Sequence, residues 1–397
     1  MTAVVLDGAR IVQHDSVEAR SLAFNGGVVV AQSPRDAVHI DVSDHLIFPG
    51  LINAHDHLQL NNIPPLPHDA PFPNSYAWID AFEVHRQRAD VDAAVAVPRA
   101  ARLWHGGLKN AFAGATTVAH HDPWYDTLDD PAFPVRVVRD SGWSHSLGLG
   151  LPHGELPPRY GPSVTDSFAK TPRHRPWIIH LAEGTDAVAR AELDQLDALG
   201  CLASNTVLVH GAGLTDANVK RVIERGAAVV WCPASNLELL GGTLEPHRLA
   251  KARRLALGTD SRLTGARDLL DELRVAATCG GLSPRDLLRL VTTDAADILR
   301  LENTGALSPG FRADCMIVRP VGDPHESLLN TRRAQIRAVI RDGRPVIADP
   351  DVADWFAACD VTTLRVRLDG AEKLLDARLA TSDAARLESG LVVDRTR

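Results

Sequence analysis

Apolar positions along the chain change rhythm twice. The first stretch alternates short β-branched runs with turn residues: AVVLDGARIV, then SVEARSLAFNGGVVVAQ, where Asn25-Gly26-Gly27 supplies the positive φ angles of a hairpin turn. The same texture returns far downstream in GALSPGFRADCMIVRP and in IRAVIRDGRPVIA, whose Asp342-Gly343 is a second hairpin signal. Between these β-rich flanks, short apolar runs alternate with helical patterns, the signature of parallel strands joined by helical crossovers. The candidate strands are LIFPGLINAH, ATTVAHH, WSHSLGLG, WIIHLAE, TVLVHGA, AAVVWCP and RLALGTD. A helix is predicted from Asp216 to Arg225, stopping at Gly226, and another begins after Ser283, an N-cap residue followed by Pro284. Seven such units over about 250 residues predict an α/β fold, a (β/α)8 TIM-type barrel, rather than an open sheet. The stretch from Leu151 to Arg175, rich in Pro, Gly and Arg, is where a fourth strand is expected, so the barrel should be distorted there. The resulting division assigns residues 49–305 to the barrel and residues 1–48 with 306–397 to one discontinuous β-sandwich and its tail.

Composition narrows the function classes. The 397 residues are 45% hydrophobic and 23% charged, which excludes disorder as the main character. A net charge of −8 gives no electrostatic footprint for a phosphate backbone, so no nucleic-acid partner is expected. No apolar run approaches the ~20 residues that span a bilayer, and the N-terminus lacks the pattern of a signal peptide, so no membrane partner and a cytoplasmic address are expected. Five scattered cysteines with no C-x-x-C spacing speak against a disulfide framework or a thiolate zinc finger. Histidine, with 17 copies, is the unusual residue.

Its placement carries the chemistry. His55 and His57 stand at i and i+2 at the end of an apolar strand, so both imidazoles face one side while Asp56 faces the other. Two such nitrogens make half of a zinc site. His180 ends WIIH, His210 ends TVLVH and Asp260 ends LALGTD. Alone, each reads equally as a core histidine or a helix cap. Together, ligand-type residues recur at strand C-termini in the order H-x-H, H, H, D, and in a barrel those ends converge on one face. Glu183, three residues past His180, is placed to reach a metal-bound water without ligating.

FPGLINAHDH, GATTV, HLAEG, LVHGAGLTD, VVWCPASN, LGTDS and GALSPGFRADCMIV occur in an order and spacing that resemble the amidohydrolase superfamily, in its branch of cytosine, guanine and adenosine-type deaminases and triazine hydrolases. The resemblance spans nearly the whole chain. It implies that His55, His57, His180 and Asp260 hold one divalent metal, most often zinc, otherwise iron. It further implies that Glu183 shuttles protons, that His210 hydrogen-bonds water or substrate, that Asp260 accepts a proton from the nucleophilic water, and that the protein is a homodimer. Relatives with two metals use a carboxylated lysine at the end of strand four. Here Lys109 falls in a helix and Lys170 lies well before His180, so a mononuclear site is expected.

Gln59, His121, Trp124 and His145 are candidate substrate contacts, an aromatic and imidazole lining suited to a flat heteroaromatic ring. The expected reaction is hydrolytic deamination of an amino-substituted nitrogen heterocycle or nucleobase-like small molecule. Two alternatives stand beside it: hydrolysis of a cyclic amide or another C–N or C–Cl bond at the same metal site, and a catalytically silent barrel used for binding. The cytidine-deaminase type of zinc site is set aside, since no P-C-x-x-C occurs.

Overall fold

A computed structural model describes residues 3–151, 159–380 and 382–394. The middle of the chain contributes parallel strands in two sheets. One holds β1 (Leu51–Asp56), β2 (Ala115–His120) and β3 (Arg136–Val137); the other holds β4 (Gly142–Ser146), β5 (Trp177–Leu181), β6 (Thr206–His210), β7 (Ala228–Trp231) and β8 (Leu255–Leu257), paired in that order. Just past β8, the Thr259 and Asp260 N–H groups donate to the His55 carbonyl at 3.0 and 3.1 Å, so the last strand meets the first. Among the described residues no strand pairing joins β3 to β4.

These strands are covered on both faces, and their side chains divide with a period of two. Ile178, Val207, Val209, Ala228 and Val230 share one apolar cluster, whereas Ile179, Leu208, Val229 and Leu255 belong to another. Four helices matter for the site: α1 (Ser75–His85), α2 (Arg99–Phe112), α3 (Ala187–Ala198) and α4 (Pro233–Leu240). Asn74 caps α1 by accepting the Ala77 N–H at 3.0 Å, and Asp186 caps α3 by accepting that of Ala189 at 3.0 Å.

The strand missing from the sequence reading is found upstream of where it was expected. It is Arg136–Val137, too short for any periodicity, and only residues 138–141 separate it from Gly142–Ser146, with no crossover helix between them. The Leu151–Arg175 stretch carries no strand among its described residues and instead forms the helix Val164–Lys170. Residues 152–158 of that stretch lie outside the described residues.

Both ends of the chain build the remaining sheets. Leu46–Pro49 from the N-terminal side pairs antiparallel with Cys315–Val318 in a nine-stranded sheet. A four-stranded sheet, whose strands lie between Val4 and Asp41, packs on it through Leu6, Phe24 and Val29 against Ile11, Ile47 and Ile317. The expected hairpins form. Gly26 and Gly27 at φ +60° and +83°, and Asp342 and Gly343 at +49° and +74°, are two-residue turns with both φ positive, the geometry matched to strand twist. The tail adds Thr363–Leu368, Ala371–Asp376 and Leu391–Val393 to the edge of the larger sheet.

Candidate metal centre and active site

The ends of β1, β5 and β8 bring three imidazoles and a carboxylate together. His57 Nε2 lies 3.2 Å from His180 Nε2, which lies 3.3 Å from His55 Nε2. Asp260 Oδ1 stands 3.9 Å from His55 Nε2 and 3.8 Å from His57 Nε2. All four residues are buried. Nitrogens each about 2.0–2.1 Å from a common tetrahedral zinc would sit roughly 3.4 Å apart, so the spacing of the imidazoles is that of a ligand set. The donor chemistry, neutral nitrogen with one carboxylate, also fits a borderline divalent cation.

Neighbours fix the orientation of these groups. His57 Nδ1 is bonded to Asp122 Oδ2 at 2.8 Å, and Tyr160 donates its hydroxyl to the other oxygen of Asp122 at 2.9 Å. His180 Nδ1 donates to the His145 carbonyl at 2.8 Å. Such outer partners turn a ring and choose its tautomer. Asp260 Oδ2 accepts Ser235 and Thr264 hydroxyls at 2.9 and 2.7 Å, while Oδ1 accepts the Ser261 N–H at 2.8 Å. Burial opposes charge on His57, yet the adjoining Asp122 carboxylate prevails and raises its pKa to about 9. Burial, reinforced by the neighbouring imidazoles, instead pushes His55 and His180 well below the usual value.

Beneath the centre, Asp56 faces away from the histidines, as the period of two requires. It meets Lys109 of α2, whose Nζ lies 3.0 Å from Asp56 Oδ2, 2.8 Å from Asn61 Oδ1, 3.1 Å from Thr259 Oγ1 and 3.3 Å from the Asp260 carbonyl. Both side chains of the pair are fully buried. Lys109 therefore ties the end of β1 to the end of β8.

Glu183 and His210 sit beside the ligand set, with His210 Nε2 3.5 Å from Glu183 Oε1. His210 Nδ1 donates to Asn236 Oδ1 of α4 at 2.9 Å, which leaves Nε2 facing the centre. Burial raises the Glu183 pKa above the ordinary carboxylate range, against the opposing pull of His210. The backbone is strained at these strand ends: Ala182, His210 and Asp260 adopt φ of +52°, +75° and +54°, left-handed conformations uncommon outside glycine. A cavity of about 290 Å³ opens over the group, with His57, His180, Glu183, His210 and Asp260 at its floor. Its walls include Leu60, Trp78, Ile79, Phe82, Leu239 and Leu263, three of them from α1.

Comparison with known proteins agrees with this arrangement. The Amidohydrolase family model matches residues 173–346. The 5-methylthioadenosine/S-adenosylhomocysteine deaminase of Pyrococcus abyssi is 25% identical over 370 residues, covering 80% of this chain and 86% of its own. That of Halobacterium salinarum is 25% identical over 410 residues, covering 89% and 91%. The chain is thus similar to the amidohydrolase superfamily, by a family model over residues 173–346 and by relatives at 25% identity over most of its length. Solved structures share its fold. An adenosine deaminase from Xanthomonas campestris with bound zinc superposes with a TM-score of 0.70 at 22% identity, covering 90% of this chain and 97% of that one. An atrazine chlorohydrolase from Arthrobacter aurescens complexed with zinc gives 0.70 at 19%, covering 89% and 99%.

Within this site the expected substrate contacts divide. His145 lines the cavity, and burial, reinforced by His57, lowers its pKa to about 4. Gln59 also lines it, though not by sharing a strand face with His57: β1 stops at Asp56, and Gln59 sits in the short turn Leu58–Leu60, its Oε1 buried without a partner. His121 is placed among the ligands instead of against substrate. Its ring stacks on His180 at 4.3 Å, and one of its nitrogens joins those of His55, His57 and His180 within 4.8 Å of one another. Since His121 Nε2 donates to the Ser144 carbonyl at 3.0 Å, the inward nitrogen is Nδ1, which has no partner. Trp124 is the correction. It is 38% exposed, lies under the Arg139 guanidinium and donates to Asp129, so it turns away from the centre. The sequence reading missed Asp122, Tyr160 and Asn236, which bond other site residues, the first two also lining the cavity, and leave no local spacing to read.

Proposed function

We propose that the protein is a metal-dependent hydrolytic deaminase acting on an amino-substituted nitrogen heterocycle or nucleobase-like small molecule. One observation carries this reading: an imidazole triad and a carboxylate at ligand spacing, with Glu183 and His210 beside them on the floor of one cavity. In it, His55, His57, His180 and Asp260 hold one divalent ion, zinc by analogy with the zinc-bound relatives of like fold. Asp260 is taken as fourth donor over His121 because it brings negative charge and its Oδ1 stands 3.9 and 3.8 Å from two of the imidazole nitrogens. A divalent cation at such a site supplies Lewis acidity and makes water a competent nucleophile near neutral pH.

The chain's own groups do the rest. Asp260 cannot swing, since both its oxygens are engaged, and it stands ready to accept a proton from the attacking water. Glu183, inclined by burial to keep its proton, donates at the ring nitrogen next to the amino-bearing carbon. The Glu183 carboxylate then takes the second proton from the attacking oxygen and passes it to the amino group, which leaves as ammonia. That oxygen becomes the carbonyl, and the proton held by Asp260 returns to Glu183. His210, pinned by Asn236, hydrogen-bonds the group that gains charge. The apolar and aromatic walls suit a flat ring.

The eight parallel strands are read as a (β/α)8 barrel, closed where β8 meets β1 and interrupted between β3 and β4. Residues 1–48 and 306–397 form the composite β-sandwich beside the barrel of residues 49–305. A cytoplasmic address and a homodimer belong to the same proposal; no described helix is long and apolar enough to cross a membrane. The test is ammonia release from purines, pyrimidines, pterins and triazines by protein purified without chelator, with its metal measured. Ammonia from one class with about one metal per chain is the expected result. Chloride release or ring opening instead would favour the other hydrolases of the superfamily, and a metal-free inert protein would favour a binding scaffold.

A further inference from the structure

Glu192 stands outside the cavity, on the first turns of α3, with only 4% of its surface exposed. Burying a carboxylate is costly unless its oxygens are engaged, and both of these are. Oε2 accepts the Ala182 N–H at 2.6 Å, and Oε1 accepts the Tyr76 hydroxyl. The Tyr76 oxygen in turn accepts the Gly148 N–H at 2.9 Å, from the segment that follows β4.

These bonds converge on the backbone that presents Glu183. Ala182 is the residue between the end of β5 and Glu183, and it is held at φ +52°, a conformation a non-glycine residue keeps only when its surroundings impose it. On the far side, the Glu183 carbonyl accepts the Ser75 N–H at 2.9 Å, and Asn74 and Gly184 pair as an isolated bridge. Ser75 and Tyr76 open α1, the helix that supplies Trp78, Ile79 and Phe82 to the cavity wall. One carboxylate therefore links the turn carrying the acid, the helix walling the cavity and the end of β4.

We propose that Glu192 is a positioning residue that sets Glu183 over the centre by holding the Ala182 peptide and, through Tyr76, the start of α1. The proposal rests on the role given to Glu183 above. Loss of the acceptor leaves the Ala182 N–H buried without a partner and frees the turn to relax out of its left-handed conformation. A shift of an ångström at an acid costs about 10²-fold in turnover.

The test uses the zinc-loaded full chain and begins with hydrogen–deuterium exchange, which needs no substrate. Glu192→Ala should speed exchange at the Ala182 and Glu183 amides by roughly tenfold or more, with strands β6 and β7 unchanged. Glu192→Gln, whose amide oxygen still accepts from Ala182 and whose NH2 can reach the Tyr76 oxygen, should restore protection. With the heterocycle giving most ammonia, Glu192→Ala should lower kcat about 10²-fold while KM and zinc content stay within about threefold, and Glu192→Gln should recover it. Should Glu192→Ala not fold, Tyr76→Phe removes one tether and should give a smaller rise in exchange at the same amides. Wild-type exchange at Ala182 in Glu192→Ala, or in Tyr76→Phe where that variant stands in, overturns the proposal, as does a Glu192→Gln protein as impaired as Glu192→Ala. Glu183→Gln is measured in parallel. Its full activity would overturn the functional reading itself, whereas an inactive Glu183→Gln beside a fully active Glu192→Ala overturns the positioning alone.

Discussion

At the residue scale, the proposed site divides groups that would hold a cation from groups that would move a proton, and substitution should separate them. Glu183→Gln keeps the size and hydrogen-bonding reach of the side chain but removes the titratable proton. Turnover should fall by about 10²–10⁴-fold while metal content stays at the wild-type level, as checked by ammonia release and elemental analysis of the same sample. Much of this division was legible in the chain. His55, His57, His180, His210 and Asp260 each follow an apolar run, and a buried parallel strand leaves only its C-terminal end free for polar groups. Trp124 defeated the same logic: proximity to His120 and His121 in sequence suggested a pocket residue, but Arg139 and Asp129 give its ring and N–H better partners outside. Asp122 and Glu192 were illegible for the opposite reason, being ordinary acidic residues until the fold sets His57 and Ala182 against them.

Elements show a similar contrast. Strand β3 escaped notice because two residues, one of them Arg136, carry no alternation to detect. The purpose of the tail was equally hidden. Its Glu388, fully buried, bonds Arg262 through both guanidinium NH2 groups at 3.0 Å, meets His105 at 3.0 Å and pairs with Arg333. Arg262 follows Asp260 by two positions, and its N–H donates to Asn61 Oδ1 at 3.0 Å, so the tail braces the loop after β8. Glu388→Gln should cost about 3–5 kcal/mol at pH 7, read by chemical denaturation, since it removes the carboxylate paired with Arg262 and leaves the buried Arg333 with Asp369 as its close counter-charge. Burial alone would raise the Glu388 pKa, but His105 and the two arginines hold it far below the usual carboxylate range. A depressed folded-state pKa means the stabilisation is complete above the unfolded value of about 4.3 and drains away on acidification. The gap between wild type and Glu388→Gln should therefore narrow as the pH drops below about 4.3. An unchanged gap at pH 3 would show that the carboxylate's charge is not what matters.

For the molecule as a whole, the proposed ligands come from the ends of β1, β5 and β8, so a bound ion would cross-link the two parallel sheets. Binding that requires the folded state stabilises it, by about 2.7 kcal/mol at a ligand concentration one hundred times Kd. Chelation should lower Tm in calorimetry and readdition of zinc should restore it; a Tm indifferent to chelation would argue against a site at this convergence. The broad plan, parallel strands between β-rich flanks, was readable because hairpin turns and buried strands each mark the sequence locally. The meeting of the last parallel strand with the first was not, since Thr259 and His55 are neighbours only in space. Lys109 makes one more statement about the protein. Four oxygens hold its Nζ beneath the centre, so Lys109 is not placed to carry the bridging carbamate of a paired-metal enzyme. Turnover should be the same in degassed buffer and in saturating bicarbonate.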